Sequence, residues 1–590
     1  MKATLISMPW AIFYRPSIQL GALSAWLGKQ GIAATCLHPY LDVAQAIGFT
    51  AYNEISASTW AGEALYSALL FPEQAARAKK LFVREIPGRK GDFTRLATTV
   101  AQTTTAWLAR QDLNGQTLVG FSICFSQLLA SLYCASLIRK RYPGLPIVFG
   151  GSACTPDLGR GLLDAFPWPD YLITGEGERP LAGLIRHLAQ GSALPGQVMA
   201  RTSQPVSMAI ANRMDRLDMN TLPSPDYSHY FAELAVIGQP FVPELPIEFS
   251  RGCWWNKCSF CNLNQQWHGY RHKDPDRVSA EVLAMARQYQ CLDFFFTDNA
   301  LPPAKAHQFF DRMASAGEDC RFFAEIRVPG DMEELRHYRR GGLTCIQVGI
   351  EALSDSLLDK MRKGVTVMEN IHAMKMATAL GIRLEGNLIL EFPGSTRSEV
   401  EETLRALAAV LPYRPLQPAA FFLGQGSPVH AQARQYGIKA ITHHANDRLL
   451  FPAPVLRRLD LLVKGYRGDR IRQRRLWQPV RARIREWQRF HDNRGRKSRP
   501  ALELRDGGSF IIIRQELPGQ PALHHRLQGL SRQIYLACDQ PVSKKRLLAR
   551  FKTVKEDQLN QFLAGLGEKG LVFTDGKQFL ALAVRPEQNQ

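Results

Sequence analysis

Residues 245–261 read LPIEFSRGCWWNKCSFC, a short apolar run closing on glycine and then Cys253, Cys258 and Cys261 within nine residues. A run of this length bounded by glycine has the composition of a buried strand, so the three thiols are expected on the loop that leaves it. Three is the informative number. A closed structural zinc site normally takes four nitrogen or sulfur ligands, whereas an iron–sulfur cubane held by three cysteines keeps one iron open to an outside ligand. His268 and His272 follow closely enough to complete a zinc site instead, and on the residues alone that reading stays open.

Downstream of this loop the strand pattern recurs. CLDFFFTDNALP (291–302), CRFFAEIRV (320–328), CIQVGIEAL (345–353), LEGNLILEFPG (384–394) and QPAAFFLGQG (417–426) each neighbour a helical stretch. With 245–253 they make six βα repeats, which predict a partial (β/α)6 barrel of the TIM type over 246–450. Such barrels carry their chemistry in loops at the carboxyl ends of the strands, where the cysteines fall. Polar residues there, Glu325, Glu351 and Asn387, are candidates for holding a bound cofactor, each with the alternative of an ordinary rim residue.

Upstream, TLISM, LVGFSICF, PIVFGGSA and YLITGEGE alternate with helices, and a helical insertion is expected at about 43–112. The pattern predicts an α/β domain over 1–190 with a Rossmann-like parallel sheet. Ligands of such sheets sit outside the strands' carboxyl ends. Those ends carry Gly120 and Ser122, then Gly150, Gly151 and Ser152, then Gly175, Glu176 and Gly177. Glycine lets backbone approach a bulky ligand, and these eight positions are candidates for lining a large-cofactor site; tight βα turns are the plainer explanation. Proline-rich 191–245 reads as a linker.

A chain of 590 residues exceeds a single hydrophobic core, and with 45% hydrophobic and 21% charged residues it is of ordinary globular composition. No window reaches the roughly eighteen uninterrupted apolar residues of a membrane span, and the N-terminus reads as a strand rather than a signal peptide. Eleven cysteines, scattered except for the one tight group, point to a reducing cytoplasm without a disulfide framework. Much of the net charge of +20 is local, because arginine recurs between Arg457 and Arg499. Residues 451–500 are expected to be a basic helical connector, either a solvated face or a contact for acidic peptide or nucleic acid. Helices followed by a hairpin at Asp575-Gly576 predict an α+β winged-helix-like module over 501–590.

The cysteine group, with Phe260 before its third thiol, resembles the radical S-adenosylmethionine (SAM) motif, departing from the commonest form by four residues rather than three in the first gap. Tyr270-Arg271, Phe296-Thr297-Asp298-Asn299, Gly349-Ile350-Glu351-Ala352, Gly386-Asn387 and Phe392-Pro393-Gly394 resemble later segments of that superfamily in the same order. The resemblance implies a [4Fe-4S] cluster on Cys253, Cys258 and Cys261, with SAM on the unique iron near Phe260, Glu325, Glu351 and Asn387. The α/β domain ahead of it resembles the cobalamin-binding domain of cobalamin-dependent radical SAM enzymes. It lacks the Asp-x-His-x-x-Gly motif, and His38-Pro39-Tyr40 does not match it, so cobalt without a histidine ligand from this domain is implied.

The reaction implied is methyl transfer from methylcobalamin to an unactivated carbon after hydrogen abstraction by a deoxyadenosyl radical, a second SAM restoring the methyl group. More narrowly, SMPW with RPSIQLGAL, the RGCWW run, CNLN and the terminal LACDQP to LVFTDGKQFLALAV are similar to C-methyltransferases that mature ribosomal peptide natural products (RiPPs). Partners implied are a ribosomal precursor peptide and an electron donor such as flavodoxin or ferredoxin; membrane and nucleic acid are not expected. Two alternatives stand beside this reading. One is a radical SAM peptide epimerase or cyclase without bound cobalamin, with Cys291, Cys320 or Cys345 returning hydrogen; the other is an iron–sulfur nucleic-acid-binding protein. Tyr270, Arg327 and Tyr413 are further candidates for substrate contact.

Overall fold

The computed structural model of the chain describes residues 1–201, 216–239, 241–263, 267, 269–495 and 499–586. His268, and part of the expected linker, lie outside the described residues.

The first sheet is built from β1 (Lys2–Ile6), β2 (Ala33–Leu37), β3 (Leu118–Ser122), β4 (Ile147–Gly150), β5 (Tyr171–Ile173) and β6 (Val198–Ala200), in the order β2-β1-β3-β4-β5-β6. All pairs are parallel except β5–β6. Every residue of β3 is buried, as helices on both faces require. β6 comes from the stretch expected as a linker: Val198 and Met199 bury themselves by pairing along the sheet edge. The helical insertion holds five α-helices between Tyr40 and Ala109. It packs on the sheet through Trp10, whose indole lies where a Cβ on Gly62 would fall, and Tyr52 donates to the Ala11 carbonyl at 2.8 Å.

The barrel follows as β7 (Leu245–Ile247), β8 (Asp293–Phe296), β9 (Arg321–Ile326), β10 (Leu343–Val348) and β11 (Arg383–Glu385), five parallel neighbours in the order β11-β10-β9-β8-β7. The fifth repeat then breaks at Gly386. Its second half, β12 (Asn387–Leu390), pairs with β13 (Gln417–Ala420) instead, and a single bridge from Glu351 to Leu388 ties the two pieces together. The barrel is therefore a six-stranded arc. At its amino end Arg15, from the first domain, lies 3.6 Å over the Phe295 ring and pairs with Glu244 at 2.6 Å.

The expected helical connector in fact includes a strand, Val463–Arg467, paired with Leu423–Gly424 and Ala440–His443, and ends in a packed helix, Gln478–Arg494, which buries Val480, Ile484, Trp487 and Phe490. Its arginines occupy the other positions because an amphipathic helix of this period leaves them to solvent or to ion pairs such as Arg481–Glu391. Beyond it, β14 (Leu502–Asp506), β15 (Phe510–Gln515) and β16 (Leu523–Gln528) form an antiparallel sheet. Next come the helix Gly529–Ala537, β17 (Val542–Ser543), the helices Lys544–Arg550 and Glu556–Glu568, and the hairpin of β18 (Val572–Thr574) and β19 (Gln578–Ala581). β19 lies between β17 and β18. One hydrophobic core runs through the barrel, the connector helix and this module.

Tyr413, expected at the rim, is instead 1% exposed and donates to the Leu582 carbonyl at 2.7 Å. It is a fastener between barrel and C-terminal module. Among the described residues no helix is long and apolar enough to cross a membrane. Replacing Tyr413 by Phe leaves the Leu582 carbonyl buried without that donor, a cost of about 1–2 kcal/mol. Amides of the 580–584 segment are expected to exchange hydrogen about 5 to 30 times faster, measured by mass spectrometry, with the first domain unchanged.

Candidate functional site

The carboxyl ends of the first sheet and of the barrel face each other across a cavity of about 610 Å³. All eight glycine-rich positions expected there line it: Gly120, Ser122, Gly150, Gly151, Ser152, Gly175, Glu176 and Gly177. At Gly151, φ is +108° and an added Cβ would fall 2.7 Å from the Ile123 carbonyl oxygen, so a side chain is excluded both by conformation and by backbone. The opposite wall comes from the barrel side through Glu248, Ser250, Arg251, Gly252, Thr297 and Asn299. No histidine lines the cavity among the described residues. His38 is buried elsewhere, with its ring against Tyr40 and Tyr230.

Arg251 joins the two walls. It is 4% exposed and donates to Glu248 at 2.8 Å, to Glu176 at 2.9 Å and to Glu178 at 2.6 Å. Arg271 adds a second ion pair to Glu176, and the Trp267 ring lies 5.0 Å from the Arg251 guanidinium. Burial works against ionisation of Glu178, but the Arg251 guanidinium outweighs it and holds that carboxyl below the usual glutamate range. The same carboxylates hold the Arg251 pKa well above the ordinary range despite burial.

The cysteine loop grows directly from this arginine. A two-residue ladder pairs Ser250 with His272 and Arg251 with Arg271, closing the base of the loop. Gly252 makes the turn at φ +88°, where a Cβ would meet the Gly269 carbonyl oxygen at 2.5 Å. Asp298, 2% exposed at the end of β8, accepts from the Phe249 amide at 3.0 Å and from the Ser250 amide and hydroxyl. Burial pushes its carboxyl up to about 7. At the crown, Ser259 donates to the Met361 and Lys360 carbonyls at 2.9 Å each, and Trp255 Nε1 donates to the Arg362 carbonyl at 3.0 Å.

Cys253, Cys258 and Cys261 are all half-buried on this loop. Burial pushes the Cys258 thiol up and the Cys261 thiol to about 11, and the neighbouring thiols act on one another electrostatically. Three thiols on one loop are the donor set of a cubane that keeps one iron open to an outside ligand. His272 is engaged through Nδ1 with the Lys273 carbonyl at 3.0 Å.

Glu325, Glu351 and Asn387 converge as the barrel closes. The Glu351 amide donates to the Asn387 carbonyl at 3.1 Å, the Ile389 amide to the Glu351 carbonyl at 2.8 Å, and Glu351 sits at φ +60°. Burial, with Glu351 and Asp298 nearby, pushes Glu325 up to about 7. Lys363 Nζ lies 3.3 Å from Glu351 Oε1 and acts electrostatically on Cys258. Arg327 stacks 4.1 Å from the Trp255 ring and donates to the Lys363 carbonyl at 2.5 Å. Phe260 packs half-buried against the barrel core. Sequence reasoning assigned no site role to Arg251, Glu178, Glu248 or Lys363, although Arg251 lies in the RGCWW run and Glu178 is the last residue of the GEGE strand end.

Residues 247–407 match the Radical SAM superfamily model. The chain is 27% identical over 300 residues to an uncharacterised methyltransferase of Pyrococcus horikoshii, covering 49% of this chain and 63% of that one. It is 28% identical over 277 residues to the anaerobic magnesium-protoporphyrin IX monomethyl ester cyclase of Cereibacter sphaeroides, covering 44% of each. The alignments thus span about half the length of these curated relatives. Among solved structures, the radical S-adenosylmethionine methyltransferase TsrM of Kitasatospora setae, with tryptophan and a SAM analogue bound, superposes with a TM-score of 0.56 at 15% identity, covering 82% of this chain and 88% of that one. A second TsrM structure holds cobalamin and a [4Fe-4S] cluster, with a TM-score of 0.55. The chain therefore carries a radical SAM domain within a fold shared with TsrM.

Replacing Arg251 by Ala leaves Glu178 and Glu248 without that guanidinium and Glu176 with Arg271 alone, a cost of about 3–5 kcal/mol, whereas Arg251→Lys recovers part of it. The Glu178 contribution is complete above the ordinary glutamate range and is lost as pH falls through its depressed folded value. Thermal unfolding is expected to show a gap between wild type and Arg251→Ala that is widest at neutral pH and narrows in acid.

Proposed function

We propose that the chain is a cobalamin-dependent radical SAM methyltransferase that places a methyl group on a carbon of a peptide, working in a reducing cytoplasm. The observation that carries this reading is the single cavity onto which the glycine-rich sheet ends and the base of the cysteine loop both open. Two cofactors held by these two walls would face each other across it. SAM at the cluster supplies one-electron chemistry, and a corrinoid supplies a transferable methyl group.

The chain's own residues define what such a site does. Cys253, Cys258 and Cys261 hold the cluster and leave one iron for SAM. Glu351 offers a carboxylate to the SAM ammonium, and Lys363 and Arg327 offer cations to its carboxylate, next to Cys258. Asn387, exposed at the start of β12, and Glu325 offer polar contacts to the ribose. The glycines at 120, 150, 151, 175 and 177 admit the corrinoid close to backbone, and the cavity supplies no described histidine to its cobalt. Phe125 and Phe422, 50% and 54% exposed on the cavity wall, present apolar surface for a substrate side chain and help exclude water. A ribosomal precursor peptide fits the basic charge of the chain, and a flavodoxin- or ferredoxin-like carrier supplies electrons. A radical SAM peptide epimerase or cyclase without bound cobalamin is the second reading; the magnesium-protoporphyrin relative is likewise named a cyclase.

Anaerobic protein, reconstituted with iron, sulfide and hydroxocobalamin and desalted, is expected to retain about four irons and one cobalt per chain by metal analysis. The Cys253, Cys258 and Cys261 to Ala triple variant loses the iron, and SAM cleavage with it, while keeping cobalt. Gly151→Leu loses cobalt while keeping iron. A trideuterated methyl group on SAM is then expected to reach a carbon of the precursor peptide, read by tandem mass spectrometry. Iron without cobalt in the wild type overturns the methyltransferase reading in favour of the cyclase, and retention of neither metal overturns both.

A further inference from the structure

Away from the cavity, on the outer helices of the barrel, His307, Asp311 and His337 form a compact cluster. His307 and Asp311 stand four residues apart on the helix Pro303–Ala316, so both project from one face. His337 comes from the next helix, Met332–Arg340, which packs beside it. The two imidazole rings are stacked with centroids 3.6 Å apart and planes 8° from parallel. His337 Nε2 lies 3.1 Å from Asp311 Oδ1 and 3.1 Å from the His307 carbonyl oxygen. One ligand atom from each of the three falls within 4.8 Å of the other two, the only such group among the described residues.

We infer that this cluster is a second metal site, distinct from the cysteine loop, that binds a divalent ion of the zinc type. Two imidazole nitrogens and one carboxylate oxygen are a donor set for zinc, cobalt or nickel; magnesium and calcium prefer sites made of oxygen alone. Bonds of roughly 2 Å to each ligand require the donor atoms to draw together from their present spacing. The two rings must also turn out of their stack to aim a nitrogen each at one ion; His307 and Asp311 are exposed and His337 is half-buried. Three protein ligands leave a fourth position open to solvent. The ion staples two helices that pack behind the barrel strands, and it touches neither the cavity nor the thiol loop.

The test uses the intact chain with its cluster already loaded, so that the loop thiols do not compete for zinc. Iron and zinc are then quantified separately after equilibrium dialysis against micromolar zinc chloride. Wild type is expected to take up one zinc per chain and to melt at a higher temperature with zinc than without it; magnesium does neither. His307→Ala and His337→Ala are expected to lose both effects, Asp311→Asn to bind at least tenfold more weakly, and His524→Ala, at an exposed histidine elsewhere, to behave as wild type. Equal zinc uptake by wild type and the His307→Ala/His337→Ala double variant overturns the site. So does wild type that takes up no zinc, which leaves only the His337–Asp311 contact.

Discussion

A guanidinium buried among three carboxylates is the constraint on which this architecture rests. Arg251 lies immediately before the glycine turn of the thiol loop, yet two of its partners, Glu176 and Glu178, belong to the first domain. Taking such a charge out of water is expensive, and only good geometry at several partners compensates it. The arrangement therefore tolerates little displacement of one domain against the other. The first sheet's glycine ends, the turn into the loop and the carboxylates on both walls are set by one side chain. Asp298 reinforces this from the barrel side by holding Ser250, one residue earlier.

Around that junction the site divides into two kinds of surface. The sheet side offers backbone and small residues, suited to a large planar ligand. The barrel side offers opposite charges placed close together: Glu351 with Lys363, and Glu325 raised by its acidic neighbours. A zwitterion is matched by the second surface and not by the first. The proposed methyl transfer between two cofactors would need both surfaces at once, and the position of the loop relative to the sheet would then matter more than any single contact.

Much of this was legible in the chain because it is local. Three thiols after an apolar run, and glycines at successive strand ends, are signals within a few residues of each other, and the structure puts the glycines and the base of the thiol loop around one cavity. The strand-helix alternation likewise showed the parallel sheet and the barrel. What escaped depends on distant partners. Nothing near Arg251 in sequence announces Glu178, 73 positions away. Tyr413 read as a rim residue because its carbonyl acceptor, on Leu582, belongs to another module. The connector reads as helical from sequence, but its arginines hid the spaced apolar residues that pack its helix into the core. Val198 and Met199 gave too short a run to show as an edge strand among prolines.

The Tyr413 contact also bears on whether the C-terminal module can be exchanged. Lys375, 2% exposed on the barrel helix Val367–Ala379, donates to the carbonyl and carboxylate of Asp539, and Leu580 to Val584 share the barrel's own core. A module seated this way is not a cassette joined by a tether. Grafting it onto a different barrel would expose apolar surface on both halves and strand a buried ammonium. Barrel and module therefore share one packed interface, and a change on either face has to be matched on the other.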